Sequence, residues 1–316
     1  MRVAVTVVLY RAEPGELTTV LRALAGWSRG PVLVHVNEAP DVPGWLRAAL
    51  PGAELSASRA NLGFSGGHNL LVSRAFASHA EAVLVHNPDL LLPDDAVVRL
   101  VEASSSHPRT LLGPALQLAE GRELVSTGQV DTLGIVWTRS GRHLDSGQGA
   151  PWGPPSGPPR EVAGISGAAL WVSRTAYDAI VAVSGEFFDE DFIAYREDAE
   201  LAFRAALLGI PSVLVPEAHA LHARSLRGTA RGSNAHIDRL GVRNRFLLAF
   251  KYGRHRPGGL VGPLVRDVVV LSGVVLRERA SWSGVSDAWR LRRHMRYKGH
   301  QVLSAATTTS RMAARL

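Results

Sequence analysis

Phe187 to Arg204 reads FFDEDFIAYREDAELAFR, and six carboxylates, Asp189, Glu190, Asp191, Glu197, Asp198 and Glu200, are interleaved there with large apolar residues such as Phe188, Phe192 and Phe203. A carboxylate held against apolar side chains is partly desolvated, so its proton affinity rises and it becomes suited to general-base work near neutral pH. The same acids also fit the positive end of a helix running to about Leu208. The stretch by itself leaves both uses open.

Three further motifs carry candidate chemistry. Asn87-Pro88-Asp89 follows the apolar run VLVH. An aspartate just past a strand is placed to hold Mg²⁺ or Mn²⁺, cations that take few protein carboxylates and keep positions for phosphate oxygens. Asn-Pro-Asp is equally a common turn. His219 and His222 stand three apart in PEAHALHARS, where histidines cap, pack, pair with acids or bind metal. In Asn61 to Asn69, NLGFSGGHN, Gly63, Gly66 and Gly67 leave backbone amides open to close approach, and a helix beginning near His68 would point its positive end there. The glycine spacing, and a position away from the first strand, do not fit a dinucleotide fingerprint.

These motifs need a frame. Val3 to Leu9, Val32 to Val36 and Ala82 to Val85 are near-continuous β-branched and apolar runs, as expected of strands buried on both faces. Helical patterns at Leu17 to Trp27 and Leu70 to Phe76 alternate with them, which predicts crossovers and an open, mainly parallel α/β sheet. Ligands of such sheets bind beyond the carboxyl ends of the strands. Tyr10, Arg11, Asn37, Glu38 and Asn87 to Asp89 stand there. Leu111 to Thr138 reads as strands or a hairpin, and Ala150 to Arg160, with five prolines, as a loop beside the site. Ile165 to Val172 is expected to be a strand with small residues, Ser166 to Ala169, in its middle, and Ser212 to Val215 a short one. Asn234 to Tyr252, Leu260 to Arg279 and Ser283 to Lys298 read as helices, the second with an apolar face that could pack on the core or lie on a membrane surface. Its longest charge-free run, Val268 to Leu276, is too short to span a bilayer.

Hydrophobic residues make up 46% of the 316 and charged residues 20%, which predicts a substantial core. The absence of cysteine excludes disulfides, thiolate metal sites and cysteine nucleophiles. The start, MRVAVTVVLY, reads as a buried strand rather than a signal peptide, and a cytoplasmic location is expected. Residues 220–316 hold 19 Lys or Arg against 4 Asp or Glu, while residues 1–219 hold 16 against 24. The basic end calls for an anionic neighbour: a ligand diphosphate, an anionic membrane surface or nucleic acid.

In their joint order VTVVLYR, VHVNEAPD, NLGFSGGHN, HNPD, ISGAALWVSR, the acidic stretch and VPEAHALHARS followed by RN resemble the GT-A fold glycosyltransferases of family 2, in particular a bacterial rhamnosyltransferase-like branch. The resemblance covers about residues 3–250. It implies a GT-A catalytic domain over 1–232, with a nucleotide-binding half of about 1–110 and an acceptor half of about 111–232, and a basic helical extension over 233–316. It implies a dTDP- or UDP-type sugar donor near Val8, Tyr10, Asn37, Asn61, Gly66, Asn87 and Asp89. Asn37 stands where the family usually has an aspartate, and Asn87 opens the motif that is usually Asp-x-Asp. Asp89 and His222 would hold Mg²⁺ or Mn²⁺, and Arg227, Arg243 and Arg245 would face the diphosphate. Asp198 would be the general base beside Glu197, with Trp171, Asp189 and Asp191 on the acceptor side. The implied reaction is inverting transfer of a sugar, rhamnose being the branch's frequent theme, to a hydroxyl of a glycan, lipid-linked precursor or natural product. Peripheral contact with the inner face of a membrane through the basic end goes with it.

Other classes compete. A nucleic-acid-binding protein would use the basic end, but aromatics are only 6% of the chain and no basic stretch is interleaved with stacking residues. A glycoside hydrolase would need two carboxylates and no nucleotide. A non-catalytic relative would tolerate the altered Asn-Pro-Asp.

Overall fold

A computed structural model of the chain describes residues 1–224, 235–276 and 281–306. The chain enters as β1 (Val3–Tyr10), whose valines are buried along nearly its whole length. α1 (Thr18–Ala25), β2 (Val32–Asn37), α2 (Gly44–Ala49), β3 (Glu54–Ser58), α3 (Gly63–Ala77) and β4 (Ala82–His86) follow in the alternation expected of crossovers. Beyond the two-residue β5 (Leu90–Leu91) and α4 (Asp94–Ser106), an antiparallel hairpin forms from β6 (Leu111–Glu120) and β7 (Val125–Thr132), and a smaller one from β8 (Ile135–Trp137) and β9 (His143–Asp145). The chain continues through β10 (Arg160–Val162), β11 (Ala169–Ser173), α5 (Arg174–Ser184), α6 (Glu197–Leu207) and β12 (Ser212–His222). It closes with α7 (Ala235–Tyr252), α8 (Val261–Leu276) and α9 (Trp282–Ala305).

The main sheet runs β3-β2-β1-β4-β11-β6-β12-β10, with β7 added on β6 and β5 on β12. β1, β2, β3 and β4 pair in parallel, as do β6 and β12, whereas β11 is inserted antiparallel between β4 and β6. Alternate residues of β1 serve opposite layers. Val3, Val5, Val7 and Leu9 pack with α1, α2 and α4; Ala4 and Val8 pack with α3, α5 and α6. A third cluster joins Phe192, Phe203 and Leu207 to Phe246, Leu247 and Tyr252 of α7 and to Met295 and Val302 of α9. α9 can approach α7 this closely because Gly299 has no side chain: a Cβ there would lie 1.7 Å from the carbonyl oxygen of Lys251.

Three expectations need correction. α3 begins at Gly63 rather than near His68, so Gly66 and Gly67 are helical, and Gly67 gives room to Val8, whose Cγ2 would be 2.8 Å from a Cβ. Ser166 to Ala169 is not mid-strand. It makes a turn before β11, closed by a bond from the Ala169 amide to the Ser166 carbonyl (3.3 Å). The expected Ser212 to Val215 strand resumes past an irregularity between Val215 and His219 and reaches His222. Along a strand, a spacing of three sends side chains to opposite faces, which separates the two histidines.

Candidate active site

Asp198 sits half-buried in the first turn of α6, where the helix dipole favours its charge. Its Oδ2 accepts the backbone N–H of Gly167 (3.1 Å), and its Oδ1 that of Ala199 (2.7 Å). The same Ser166 to Ala169 turn ties down the second motif, because the Asn87 amide donates to the Ala168 carbonyl at 2.9 Å. A turn of small residues therefore brings the acidic stretch to Asn87-Pro88-Asp89 at the carboxyl end of β4.

From Asn87 a buried polar chain leads on. The Asn87 side chain lies 3.3 Å from His222 Nε2, which faces Asp89 Oδ1 at 3.3 Å, while His222 Nδ1 faces Asp131 Oδ2 at 2.8 Å. Arg224 bonds to Asp131 and reaches Asp145 Oδ2 at 2.6 Å. Burial opposes a charge on His222, but hydrogen bonds to Asp131 and Asp89 override it and push its pKa up to about 9. Burial works against ionised Asp131 too, and His222 and Arg224 nonetheless hold its pKa below the ordinary value.

Burial also raises the proton affinity of Asp198, with the Gly167 amide opposing and the charge of Asp145 assisting. Glu197, 7% exposed, is pushed up to about 8 by burial and by the adjacent Asp198 charge, and its buried Oε2 has no hydrogen-bond partner. Burial and mutual repulsion thus favour a proton on the pair, and Glu197, pushed up to about 8, holds it at neutral pH. A carboxyl with a raised folded-state pKa binds more protons folded than unfolded, so its contribution to stability falls as pH rises from about 4.5 to about 8. Glu197→Gln should therefore raise the melting temperature above pH 8, by the equivalent of ~1–3 kcal/mol, and change it little at pH 5. Differential scanning calorimetry across that range checks this.

The loop entering α6 is strained. Ile193, Tyr195 and Arg196 all have positive φ (62°, 68° and 70°), and none is glycine. The fully buried Asn244 of α7 holds it, its Nδ2 donating to the carbonyls of Phe192 and Ala194 (2.8 Å each) and Tyr195 (2.7 Å). Asn244→Ala would leave these carbonyls without that donor. We expect a loss of ~2–3 kcal/mol in urea unfolding, and a fall in turnover at saturating substrate that exceeds any change in KM.

At the carboxyl ends of β1 and β2, a cavity of ≈ 220 Å³ is lined by residues including Arg11, Asn37, Glu38 and Trp45. Arg11 pairs with Glu38 at 3.0 Å and lies over the exposed Tyr10 ring at 5.0 Å. Asn37 is turned to the Gly-rich segment, accepting from the Leu62 amide (2.9 Å) and donating to the Gly63 carbonyl (3.2 Å). Asn61 is exposed and accepts from the Gly63 amide at 2.8 Å. Gly63, at φ +68°, meets Ile193: a Cβ there would lie 2.5 Å from its carbonyl oxygen, which also accepts the Ser65 amide at 3.0 Å. The Gly-rich segment and the loop before Asp198 are therefore in contact.

Several residues expected at the site stand elsewhere. Val8 packs on Gly67, and a Cβ on the buried Gly66 would lie 3.8 Å from the Glu190 carboxyl carbon; neither residue is among those lining the cavity. Trp171 is fully buried, its indole N–H bonded to Ser104 at 3.1 Å, because β11 is an interior strand. Asp189, also fully buried, is gripped by Lys251 (2.5 Å) and Lys298 (2.7 Å), which hold its pKa low against the cost of burial. Asp191 meets Lys298 at 2.6 Å and His294 at 3.0 Å. Arg243 donates to the Asp191 carbonyl (2.5 Å), tying α7 to the acidic stretch, and Arg245 pairs with Asp267 (2.8 Å) within the helical extension, so both are engaged by the protein itself. His219 bonds to the Pro155 carbonyl (3.1 Å) and stacks edge-on with Trp152. Arg227 lies outside the described residues.

Among the described residues no group of three or more His, Asp or Glu side chains is arranged to hold a metal alone. Asp89 and His222 nonetheless fit a cation that takes its other ligands from a phosphate. His222 directs Nδ1 to the Asp131 carboxylate and Nε2 toward Asp89, so a cation bound there would take the place of the Nε2 proton that Asp89 otherwise faces, with Asp131 fixing the imidazole from behind. Asp131, Asp145 and Arg224 were invisible to motif reading. Asp131 lies 91 residues from its histidine partner and has no local signal.

No protein-family model matches this sequence, and no curated protein matches it. Solved structures do resemble its fold. A structure described as GalNAc-T7 with UDP, GalNAc and Mn²⁺ superposes with a TM-score of 0.59 at 12% identity, covering 85% of this chain and 54% of its own, so this chain spans about half of that protein's length. S. aureus TarS 1-349 superposes at 0.51 and 16% identity, covering 96% and 89%. Its complex with UDP gives 0.51, 15%, 96% and 89%. The mixed sheet with helices on both faces and a helical C-terminal region is thus the fold of the GT-A glycosyltransferases, as the sequence led us to expect.

Proposed function

We propose that this chain is an inverting glycosyltransferase, moving a sugar from a dTDP- or UDP-type donor to an acceptor hydroxyl. The observation that carries the reading is the shared turn: Gly167 holds the Asp198 carboxylate while Ala168 holds Asn87, two residues before Asp89. In this reading residues 1–110 form the donor half, 111–232 the acceptor half and 233–316 the basic extension. The nucleotide enters the cavity between Arg11, Glu38 and Trp45, beside Tyr10, and its diphosphate extends toward Asn87 and Asp89. Asp89 and His222 would hold Mg²⁺ or Mn²⁺, which when bound offsets charge on the leaving diphosphate. Asp198 accepts the proton of the acceptor hydroxyl as that oxygen attacks the anomeric carbon and the diphosphate departs from the opposite face. Protonated Glu197 keeps the neighbouring charge single.

The sugar is read here as rhamnose, the acceptor as a glycan, lipid-linked precursor or natural product, and the enzyme as cytoplasmic. Structural neighbours bound to UDP support a nucleotide donor, and the neighbour bound to Mn²⁺ supports the cation. Arg243, Arg245, Lys251 and Lys298 of the basic extension are engaged internally and so are not offered to nucleic acid.

Screening nucleotide sugars for thermal protection, with and without Mn²⁺, tests the reading. A dTDP- or UDP-sugar should raise the melting temperature in a concentration-dependent way. Asp89→Ala should weaken that donor about tenfold and remove the Mn²⁺ response. Protection by no nucleotide sugar would overturn the proposal.

A further inference from the structure

The amphipathicity of α8 is reversed. Its acid, Asp267, is buried against Arg245 (2.8 Å) and Arg256 (2.7 Å), with Pro263 and Val274 also buried. Its solvent face is apolar: Val261 is 73% exposed, Leu264 53%, Val265 60%, Val268 57%, Val269 61% and Leu276 79%. These positions recur at helical spacing, forming a stripe from Val261 to Val269 that resumes at Leu276 past the exposed Ser272, and no described residue covers it. A monomer in water gains nothing from such a stripe, and one this long marks a contact surface.

Exposed charge elsewhere in the same helical extension indicates what makes the contact. α9 presents Trp282, Trp289, Arg293, Arg296 and Tyr297, all exposed, on one face, and Arg292 lies over the Trp289 ring at 4.5 Å. Tryptophan and tyrosine settle at the headgroup level of a bilayer, and arginines beside them meet lipid phosphates. A second copy of this chain would bring like-charged arginines toward one another. No helix among the described residues is long and apolar enough to cross a membrane, so the surface suits a helix lying in the plane.

We propose that α8 lies in the interface of an anionic bilayer, its valine and leucine stripe among the acyl chains and the α9 arginines on lipid phosphates. The extension thereby attaches the enzyme to a membrane by apolar insertion as well as by charge.

Flotation of the full chain with vesicles tests this without donor or acceptor, so its outcome is independent of the glycosyl-transfer reading. Vesicles of equal parts phosphatidylglycerol and phosphatidylcholine should carry the protein, and phosphatidylcholine alone should carry far less. Val265→Glu with Val268→Glu should weaken binding about tenfold or more while circular dichroism and melting stay unchanged, since both side chains are exposed. Arg293→Glu with Arg296→Glu should remove the preference for phosphatidylglycerol. Absence of flotation, or flotation unaffected by the two glutamates, would overturn the proposal. So would a lipid-free dimer that the glutamates dissociate, because the stripe would then be a self-association surface.

Discussion

Asp198→Asn should lower sugar transfer about a thousandfold while leaving donor affinity within roughly twofold of wild type. An asparagine keeps the volume and its one carbonyl oxygen can still accept the Gly167 N–H, at the loss of the bond from the Ala199 N–H, so the Ser166 to Ala169 turn and the attached Asn87 should stay in place. What is lost is the group that takes the proton from the acceptor hydroxyl. The effect therefore belongs in turnover, measured at saturating donor and acceptor, with nucleotide affinity followed by calorimetry. Near-normal turnover in the variant would remove Asp198 from the chemistry.

Lys251→Met should cause the largest loss of stability, about 3–5 kcal/mol by urea unfolding. Lys251 is almost fully buried and bonds to both Asp189 (2.5 Å) and Glu200 (2.6 Å), while Arg204 (3.0 Å) and the Tyr252 hydroxyl (2.6 Å) complete Glu200. Removing the ammonium leaves two buried carboxylates short of positive charge. The sign with pH follows from the same network. The pKa values of Asp189 and Glu200 are depressed despite burial, so the stability they confer is present above their unfolded values and is lost as pH falls through the folded ones. The deficit of the variant should consequently be greatest at neutral pH and shrink in acid.

This network explains why part of the acidic stretch misled the sequence reading. Asp189, Glu200 and Asp198 look alike in sequence, acids among phenylalanines, yet the first two bind cations from α7 and α9 while the third faces the turn at Gly167. The partner of Asp189 is 62 residues away in Lys251, a pairing that no local pattern encodes. Arginines carry the same ambiguity: Arg243 and Arg245 stand in a basic stretch, and sequence shows their charge but not its counter-ion. The frame was legible for the opposite reason. Strands buried on both faces must be written as apolar runs, so β1, β2 and β4 and the residues at their carboxyl ends could be placed directly. The apolar face of α8 was visible as well, but whether it turned inward was decided by where Asp267 found Arg245 and Arg256.

The central claim is that the Asn87 to Asp89 segment and Asp198 serve one donor cleft. A crystal structure with bound UDP tests it most directly. The uracil should lie in the cavity beside Tyr10 and Trp45 and the β-phosphate next to Asp89, at the carboxyl end of β4 from which Asp198 is reached. UDP bound elsewhere, with Asp89 and Asp198 both remote from its phosphates, would contradict it.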